Sequence, residues 1–487
     1  MNTNYDKLIF EISSDEKQGY ALPPLDVGRS SDVDAIPAHL LRSDAPVLPQ
    51  VSEPEAVRHF TCLSQKNYGV DGGFYPLGSC TMKYNPKIDE DVAALPAFAG
   101  LHPYLPQNAA QGALQLMYEL DQMLSEITGM AKFSLQPAAG AHGELTGLMI
   151  FKAYHAGRGD EKRKKIIVPD SSHGTNPASA AEAGFEVVQI ASAADGTVDL
   201  DALAAALDDT TAGLMLTNPN TLGLFETNIL RISEMVHGAG GLLYYDGANM
   251  NAIMGAARPG DMGFDVIHLN MHKTFATPHG GGGPGAGPIG VARKLVGFLP
   301  RPTVRKDPDG YRLDAGDGQS IGRVKGFYGN FGVLVRAYCY IKTMGAEGLR
   351  EASRVAVLNA NYLKESLKGQ YKLPYDRVCM HEFVFDGLAG GDPQVRTLDV
   401  AKRLIDLGYH PPTTYFPLIV PNALMIEPTE TESLATLDDF VGAMTRIADE
   451  ASGDPAVLSA APHNTPVRRV DELKAARTPV LKWQAKE

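Results

Sequence analysis

The chain is poor in cysteine and tryptophan and has no excess of basic residues. Its 487 residues include four cysteines and one tryptophan, and 44 basic side chains stand against 57 acidic ones, giving a net charge of -13. The cysteines are far apart and form no CxxC pair, which argues against a disulfide framework or a zinc ribbon and favours reduced thiols in a cytosol. The acidic balance disfavours a nucleic-acid partner.

Long apolar runs are also absent. No stretch approaches the ~18 consecutive apolar residues of a membrane span. The opening MNTNYDKLIFEISSDEK lacks the basic-then-apolar layout of a secretory signal. With 44% hydrophobic residues, the composition is typical of a globular cytoplasmic protein. Its length exceeds that of one ordinary domain and allows a large core.

Composition divides the chain into three segments. Residues 1–105 are rich in Pro and Gly and predict an irregular N-terminal arm or wrapping segment. Residues 106–335 alternate short apolar runs with helical patterns, and residues 336–487 predict a smaller α/β domain with a basic tail. This alternation predicts an α/β fold with a mostly parallel central sheet flanked by helices. In such sheets, ligands bind beyond the carboxyl ends of the strands.

The elements of the large segment can be placed from periodicity. Asp199 is an expected N-cap, and Gly129 stands near the end of the first helix, where glycine is favoured. The predicted strands are the runs at 164–170, 186–192, 212–219, 241–248 and 265–271. The predicted helices are 109–130, 175–184, 199–208 and 227–238.

An acid and an amine follow two of these strands. Asp246 ends the strand LLYYDGAN, and Lys273 comes directly after DVIHLNM. Alone, Lys273 would be read as a surface lysine, and Asp246 as a structural cap or a ribose-binding acid. Together they suit pyridoxal 5'-phosphate (PLP), in which a lysine holds the aldehyde as a Schiff base and an aspartate keeps the ring nitrogen protonated.

Two glycine-rich loops could approach the cofactor phosphate. Ala139, Gly140, Ala141 and His142 precede an apolar-periodic helix, whose N-terminus could bind the phosphate, although a plain turn is the simpler reading. The glycine run 280–287 follows the lysine and could approach the phosphate or act as a mobile lid. A disordered linker is its alternative.

Further candidate residues stand at other strand ends. His173 could stack on the pyridine ring or cap the following helix. Thr217 and Asn218 are placed near the ring hydroxyl, and the cofactor-binding set also includes Ala248 and Thr274, which closely follow the acid and the amine. His272 is a candidate proton-transfer or carboxylate-binding group. Its spacing of four from His268 would suit a metal on a helix, but the strand pattern there makes a metal site unexpected.

Several long motifs resemble one enzyme family along almost the whole chain. They are PLGSCTMKYNP, QPAAGAHGELTGL, SSHGTNPASA, YYDGANMNAI, NMHKTFATPHGGGGPGAGPIG and IEPTETES. The resemblance is to the glycine decarboxylase (P-protein) of the glycine cleavage system, more narrowly to subunit 2 of its two-subunit form, which corresponds to the C-terminal half of the single-chain enzyme. The alanine and histidine in QPAAGAHGE depart from the family pattern, which puts the details of phosphate contact in doubt.

The resemblance implies fold-type I architecture with PLP bound to Lys273. It implies an oxidoreductase that decarboxylates glycine and transfers the aminomethyl group to the lipoyl disulfide of H-protein, which is thereby reduced. It also implies a homologous subunit 1, in an α2β2 heterotetramer. Two alternatives stay open, namely another fold-type I amino-acid decarboxylase or aldolase, and a structural subunit without cofactor.

Overall fold

The computed structural model describes residues 7–24, 26, 36–44, 46–280, 283, 285–316 and 318–484. The chain divides into two compact units, one made of Met1–Gly72 with Arg469–Glu487 and the other of Gly73–Arg468. The predicted division into segments 1–105, 106–335 and 336–487 stays a prediction. Among the described residues, no helix has the length and apolar character needed to cross a membrane.

The helices and strands of the described residues are numbered in chain order. The helices are α1 (Glu53–Ser64), α2 (Lys87–Ala93), α3 (Pro96–Ala99), α4 (Gln111–Thr128), α5 (Gly140–Gly157), α6 (Thr175–Glu182), α7 (Leu200–Ala206), α8 (Ile229–Gly238), α9 (Met271–Thr274), α10 (Phe331–Leu367), α11 (Thr397–Asp406), α12 (Leu434–Gly453), α13 (Pro455–Ala460) and α14 (Glu472–Arg477). The strands are β1 (Lys132–Ser134), β2 (Lys165–Pro169), β3 (Glu186–Ile190), β4 (Thr211–Thr217), β5 (Leu242–Gly247), β6 (Val266–Leu269), β7 (Ile289–Val291), β8 (Thr303–Asp307), β9 (Gly310–Asp314), β10 (Phe383–Asp386), β11 (Thr413–Thr414) and β12 (Ala423–Ile426).

A seven-stranded sheet forms the centre of the larger unit. Its order is β1-β7-β6-β5-β4-β2-β3, and β2 to β6 pair in parallel. Strand β7 runs antiparallel to both β6 and β1. The predicted mostly parallel sheet is therefore confirmed, and each of the five strands predicted in this region overlaps a strand of the structure.

Both faces of this sheet are buried. Ile166 and Val168 of β2 belong to one apolar cluster, whereas Ile167 between them belongs to another. Tyr244 and Tyr245 of β5 divide between the same two clusters. Because successive side chains of a strand point to opposite faces, each face of the sheet has its own core, as in other parallel sheets covered by helices.

The second sheet of this unit is smaller and antiparallel. Its strand order is β10-β12-β11, and its core contains Leu363 of α10, Phe383, Phe440 and Met444. Helix α10 contacts both α4 and β10, and its helical geometry is interrupted at Gly345. Strands β8 and β9 form a separate hairpin.

Two helix ends lie where local sequence signals predicted them. The Asp199 side chain accepts hydrogen bonds from the backbone N–H groups of Asp201 and Ala202, which confirms the predicted N-cap. Gly129 ends α4 with a φ of 74°, a left-handed conformation that glycine adopts without strain.

The first hundred residues are less irregular than expected. They contain α1, α2 and α3, none of which the sequence analysis predicted. Helix α1 begins with a capping box in which the side chains of Ser52 and Glu55 each accept a hydrogen bond from the other residue's backbone N–H. Such a box is a local helix-start signal, and the high Pro and Gly content of the segment obscured it. In the same compact unit, Phe10 stacks on Trp483 with ring centroids 5.1 Å apart.

Candidate functional site

A cavity of about 240 Å³ opens at the carboxyl ends of the parallel strands. Many residues predicted for the site line it, although they come from widely separated parts of the chain. They are Ala139, Gly140, Ala141, His173, Thr217, Asp246, Ala248, His272 and Lys273. The predicted location, beyond the strand ends of a parallel sheet, agrees with this cavity.

Strand register places three side chains in a row at this edge. Thr217 of β4 pairs with Asp246 of β5, which pairs with His268 of β6. All three side chains are buried, and the Thr217 hydroxyl has no hydrogen-bond partner among the described residues. The row is fixed by backbone pairing, so the acid cannot move without disturbing the sheet.

The Asp246 carboxylate is held from several sides. Oδ2 accepts a hydrogen bond from Asn176 Nδ2 at 2.9 Å, and Oδ1 accepts one from the Ala248 N–H at 3.0 Å. His268 Nε2 lies 3.2 Å from Oδ1, and His268 Nδ1 lies 2.8 Å from the Tyr244 hydroxyl. Burial raises the pKa of Asp246, but the nearby His268, the Asn176 amide and Lys273 outweigh it and lower the pKa below its ordinary value. Asp246 is therefore an anion at neutral pH.

Lys273 lies on the short helix α9, directly after β6, and is half-buried. Its positive charge lowers the pKa of the carboxyl of Asp246 and of the imidazoles of His173 and His272. The positive charge of Lys273 thus acts on at least three of the titratable side chains that line the cavity.

The N-terminus of α5 faces the same cavity. Ala139, the N-cap, is extended, and no side chain caps the helix. Gly140 approaches the β6–α9 junction so closely that a Cβ atom would lie 2.5 Å from Asn270 Nδ2, and a Cβ on Gly143 would lie 2.7 Å from His268 Cβ. These glycines are required for close packing, and together they leave the helix N–H groups open to an anion.

His173 stands at the end of β2 and is linked to α5. Its Nδ1 lies 2.8 Å from Thr175 Oγ1, and that hydroxyl donates to Glu144 Oε1 at 2.7 Å. The imidazole also makes an edge contact with Phe416, with ring centroids 5.4 Å apart. Burial is the main cause that lowers the pKa of His173, so the ring is neutral at pH 7.

Two more neutral histidines lie close to the Lys273 amine and form a pair. His272 and His279 meet edge to face with ring centroids 5.2 Å apart. Burial and the charge of Lys273 lower the pKa of His272 to about 3 and that of His279 to about 4. Neither ring is cationic at neutral pH, so neither donates a proton as an imidazolium, and the lowered pKa values make both rings weak bases.

Three predicted cofactor contacts lie outside the cavity wall. The His142 ring turns back, and its Nδ1 accepts a hydrogen bond from the Ala138 N–H at 3.1 Å. Asn218 is fully buried and uses Oδ1 to accept from the Glu226 N–H at 2.9 Å. Thr274 is also buried, and its carbonyl accepts from Lys83 Nζ at 2.9 Å. His142 was predicted from its place at the start of a helix, and Asn218 and Thr274 from their closeness to strand ends. None of the three is among the residues that line the cavity, and their role as cofactor contacts stays a prediction.

Other cavity residues were missed by sequence reasoning. Glu144 lies one turn into α5 and bridges Thr175 and Ser179 of α6. Ser79 and Asn270 also line the cavity. A glutamate within a glycine-rich helix start was the available signal for Glu144, whereas Ser79 comes from the segment expected to be an irregular arm. In the glycine run, residues 281, 282 and 284 lie outside the described residues, and the Gly285 carbonyl accepts from Asn330 Nδ2 at 2.5 Å.

The residues present fit a phosphorylated pyridine aldehyde. The described residues that line the cavity include one primary amine, on Lys273, two buried carboxylates, on Asp246 and Glu144, and the uncapped N-terminus of α5. The amine, the Asp246 carboxylate and the helix N-terminus match the aldehyde, the ring nitrogen and the phosphate. Buried Thr217 Oγ1 and Asn270 Oδ1 lack hydrogen-bond partners among the described residues, so polar groups are available for a ligand. The predicted absence of a metal stays a prediction.

Fold and site together define the class. The arrangement is the fold-type I architecture of PLP-dependent enzymes. Over 85% of this chain it is similar to a crystal structure of glycine decarboxylase (P-protein) of the glycine cleavage system, with a TM-score of 0.71, 19% identity and 94% of that chain covered. It is also similar to Lactobacillus brevis glutamate decarboxylase, with a TM-score of 0.65, 14% identity, and 85% and 96% of the two chains covered. At these identities the likeness shows the fold alone.

Sequence comparison gives the particular family. Residues 26–312 match the model of the glycine cleavage system P-protein, and residues 352–463 match that of the glycine dehydrogenase C-terminal domain. The chain is 65% identical over 483 residues to the probable glycine dehydrogenase (decarboxylating) subunit 2 of Caldanaerobacter subterraneus subsp. tengcongensis, covering 99% of this chain and 100% of the relative. Its identity to the protein of the same name from Alkaliphilus oremlandii is 62%, with 100% of both chains covered. The chain belongs to the glycine cleavage system P-protein family.

Proposed function

We propose that this chain decarboxylates glycine with PLP held on Lys273 and passes the aminomethyl group to the lipoyl disulfide of H-protein. The family and the names of its full-length relatives support the reaction. The observation that carries the assignment of the site is the meeting of Lys273, Asp246 and the N-terminus of α5 in one cavity.

Each side chain has a separate role in this proposal. Lys273 would hold the cofactor through its amine, and the Asp246 carboxylate would keep a proton on the ring nitrogen. When bound, PLP supplies an electron sink for the electron pair that remains as CO₂ leaves. His173 would lie against the ring, and the uncapped N–H groups of α5 would hold the phosphate.

His272 is the candidate for moving a proton. Its ring is neutral, stands next in sequence to the amine and lines the cavity, so it would be placed to hold a proton of the reacting groups by a hydrogen bond, whereas its lowered pKa makes it a weak base. Glu144 is proposed to orient His173 through Thr175, because the carboxylate accepts from the threonine hydroxyl that contacts the imidazole.

The chain is proposed to work with a homologous subunit 1. The names of its relatives specify a subunit 2, which implies a second type of subunit. We propose an α2β2 assembly in which the partner lacks the lysine, and in which glycine and the lipoyl arm require groups from both chains. Lipoylated H-protein is the second proposed partner.

Exchange of labelled bicarbonate into glycine tests this function. The chain is reconstituted with PLP and assayed alone, with subunit 1, and with subunit 1 plus lipoylated H-protein. We expect PLP binding by the chain alone, and full exchange only with both partners. CO₂ release that does not depend on H-protein would favour another amino-acid decarboxylase. A chain that binds no PLP would be a structural subunit, and full exchange without subunit 1 would contradict the two-chain assembly.

A further inference from the structure

The three residues Ser79, Cys80 and Thr81, here called the Ser79–Thr81 loop, have an unusual backbone. Ser79 has a φ of 66° and Thr81 a φ of 44°, so two non-glycine residues within three positions are left-handed. Such conformations are uncommon outside glycine and persist only when the surroundings impose them. The loop therefore needs partners that hold it.

Two fully buried glutamates supply those partners. The Ser79 N–H donates to Glu382 Oε2 at 2.7 Å, and the Thr81 N–H donates to Glu427 Oε2 at 3.0 Å. Glu382 precedes β10 and Glu427 follows β12, and their neighbours Phe383 and Ile426 pair across these antiparallel strands. The two carboxyl groups thus lie side by side at one end of the small sheet.

Placing two acids together in this way is costly. Burial and the neighbouring carboxyl raise the pKa of Glu382 well above its ordinary value, and burial raises the pKa of Glu427 to about 7. His381 lies between them, 3.7 Å from Glu382 Oε1 and 4.0 Å from Glu427 Oε1, and burial lowers its pKa to about 3. Burying these two acids has a desolvation cost, yet each accepts an N–H of a left-handed residue, and this geometry points to a positioning role.

The loop that they hold forms part of the cavity wall. Ser79 lines the cavity together with Lys273, which is the only lysine or arginine among the described residues that line it. His173 and His272 are neutral there. A substrate carboxylate in this cavity would therefore be held largely by neutral donors, and the Ser79 hydroxyl is one of the few available.

We infer that Glu382 and Glu427 are positioning residues that hold the Ser79–Thr81 loop in its left-handed conformation, so that the Ser79 hydroxyl can donate to the substrate carboxylate. This inference rests on the proposed function for the identity of the substrate. The half-buried thiol of Cys80, between the two held residues, offers a readout of loop position that requires no turnover.

The first test measures alkylation of Cys80 by iodoacetamide in the full chain loaded with PLP, followed by mass spectrometry across a range of pH. Glu382→Ala and Glu427→Ala should each raise the limiting rate at high pH at least fivefold, because the freed loop exposes the thiol. A change in thiol pKa alone would shift the profile and leave that limit unchanged. Cys62 is the internal reference.

Glu226→Ala is the matched control. Glu226 is also buried and also accepts two backbone N–H bonds, from Val198 at 2.7 Å and from Asn228 at 2.9 Å, but it is not among the cavity residues. This variant should leave the Cys80 rate unchanged. If an alanine variant does not fold, the corresponding glutamine variant replaces it, with a smaller rise expected since an amide oxygen accepts a weaker hydrogen bond.

The second test measures glycine KM and kcat in the assembled system. Ser79→Ala, Glu382→Ala and Glu427→Ala should each raise KM at least tenfold with a smaller change in kcat, and Ser79→Ala should add little to either glutamate variant. An unchanged Cys80 limit in both glutamate variants would overturn the positioning role. So would a stoichiometric metal ion bound by His381 and the two glutamates. A faster Cys80 reaction with normal KM would overturn the role of Ser79, whereas failure of the proposed function would show as absent turnover in the wild type.

Discussion

The cavity has two walls that are built in different ways. The strand-end wall, made of Thr217, Asp246 and Lys273 with the N-terminus of α5, follows from strand register and helix packing. The other side, here called the loop wall, reaches the cavity through Ser79 and belongs to residues 79–85, which have little regular structure. Buried acids far away in sequence hold this segment by hydrogen bonds and one ion pair. Backbone geometry fixes the strand-end wall, whereas hydrogen bonds and an ion pair of buried side chains fix the loop wall.

This contrast predicts different consequences of mutation. Asp246 occupies an ordinary strand position with its hydrogen bonds satisfied, so its removal should affect chemistry more than stability. The loop wall combines left-handed residues with buried acids and a buried lysine, so its substitutions should affect stability and positioning more. The following predictions test that division.

Lys273→Ala should have the largest effect. No other described lysine lines the cavity, so covalent PLP and essentially all turnover should be lost while the fold remains. The measurement is borohydride reduction followed by mass spectrometry of the adduct. A normal amount of reducible adduct in this variant would show that the cofactor lysine has been wrongly assigned.

Asp246→Asn should come next, with kcat reduced about 100-fold and a smaller change in glycine KM. The asparagine keeps the shape but lacks the charge that holds a proton on the ring nitrogen. Steady-state kinetics of the assembled system measures both constants. Asp265→Asn is the control, because Asp265 is also buried but bonds to His237 and the Leu243 N–H before β6 begins. Equal loss of kcat in the two variants would contradict the assignment.

The sequence allowed the strand-end wall to be predicted because its determinants are local. Apolar runs located the strands, the acid lies near the carboxyl end of β5, and the amine follows β6. The directions in which individual side chains point are harder to predict from the sequence. His142 lies near the predicted position, but its ring Nδ1 accepts from the Ala138 N–H, a contact that spacing alone does not give.

The loop wall could not be predicted in the same way. The Pro- and Gly-rich composition around it indicated a wrapping arm, yet Ser79 and Thr81 bond to glutamates 303 and 346 residues away. No periodic pattern links positions so distant in the chain. Their pairing depends on how the small sheet packs beside the large one, which is a property of the tertiary structure.

Lys83→Met tests the electrostatic side of the comparison. Lys83 Nζ is buried and donates to Asn251 Oδ1 at 2.6 Å, to the Thr274 carbonyl at 2.9 Å and to Glu430 Oε1 at 2.6 Å. Removing the amine leaves Glu430 without its cation, so the free energy of unfolding should fall by about 3 kcal/mol. Denaturant unfolding measures this change, and Lys83→Met combined with Glu430→Gln should recover part of it. Retention of covalent PLP is expected, since Lys273 is unchanged.

The smallest expected effect is a change of the free energy of unfolding with pH that is caused by ionisation of the Glu427 carboxyl. Burial raises its folded-state pKa to about 7, against an ordinary value of 4.5, although the hydrogen bonds from Thr81 and the charges of Lys273 and Lys83 oppose the shift.

When the pKa of a carboxyl is higher in the folded state than in the unfolded state, its protonation stabilises the fold. This contribution is complete at a pH below the unfolded-state pKa and is lost as the pH rises through the folded-state pKa. Glu427→Gln cannot ionise, so between pH 5 and pH 8 its free energy of unfolding should rise relative to that of the wild type, by about 2 kcal/mol in total. Chemical denaturation at several pH values gives both curves. Parallel curves for the wild type and Glu427→Gln would mean that this carboxyl does not titrate in the folded chain, and that the loop wall is held by an acid that stays in one charge state.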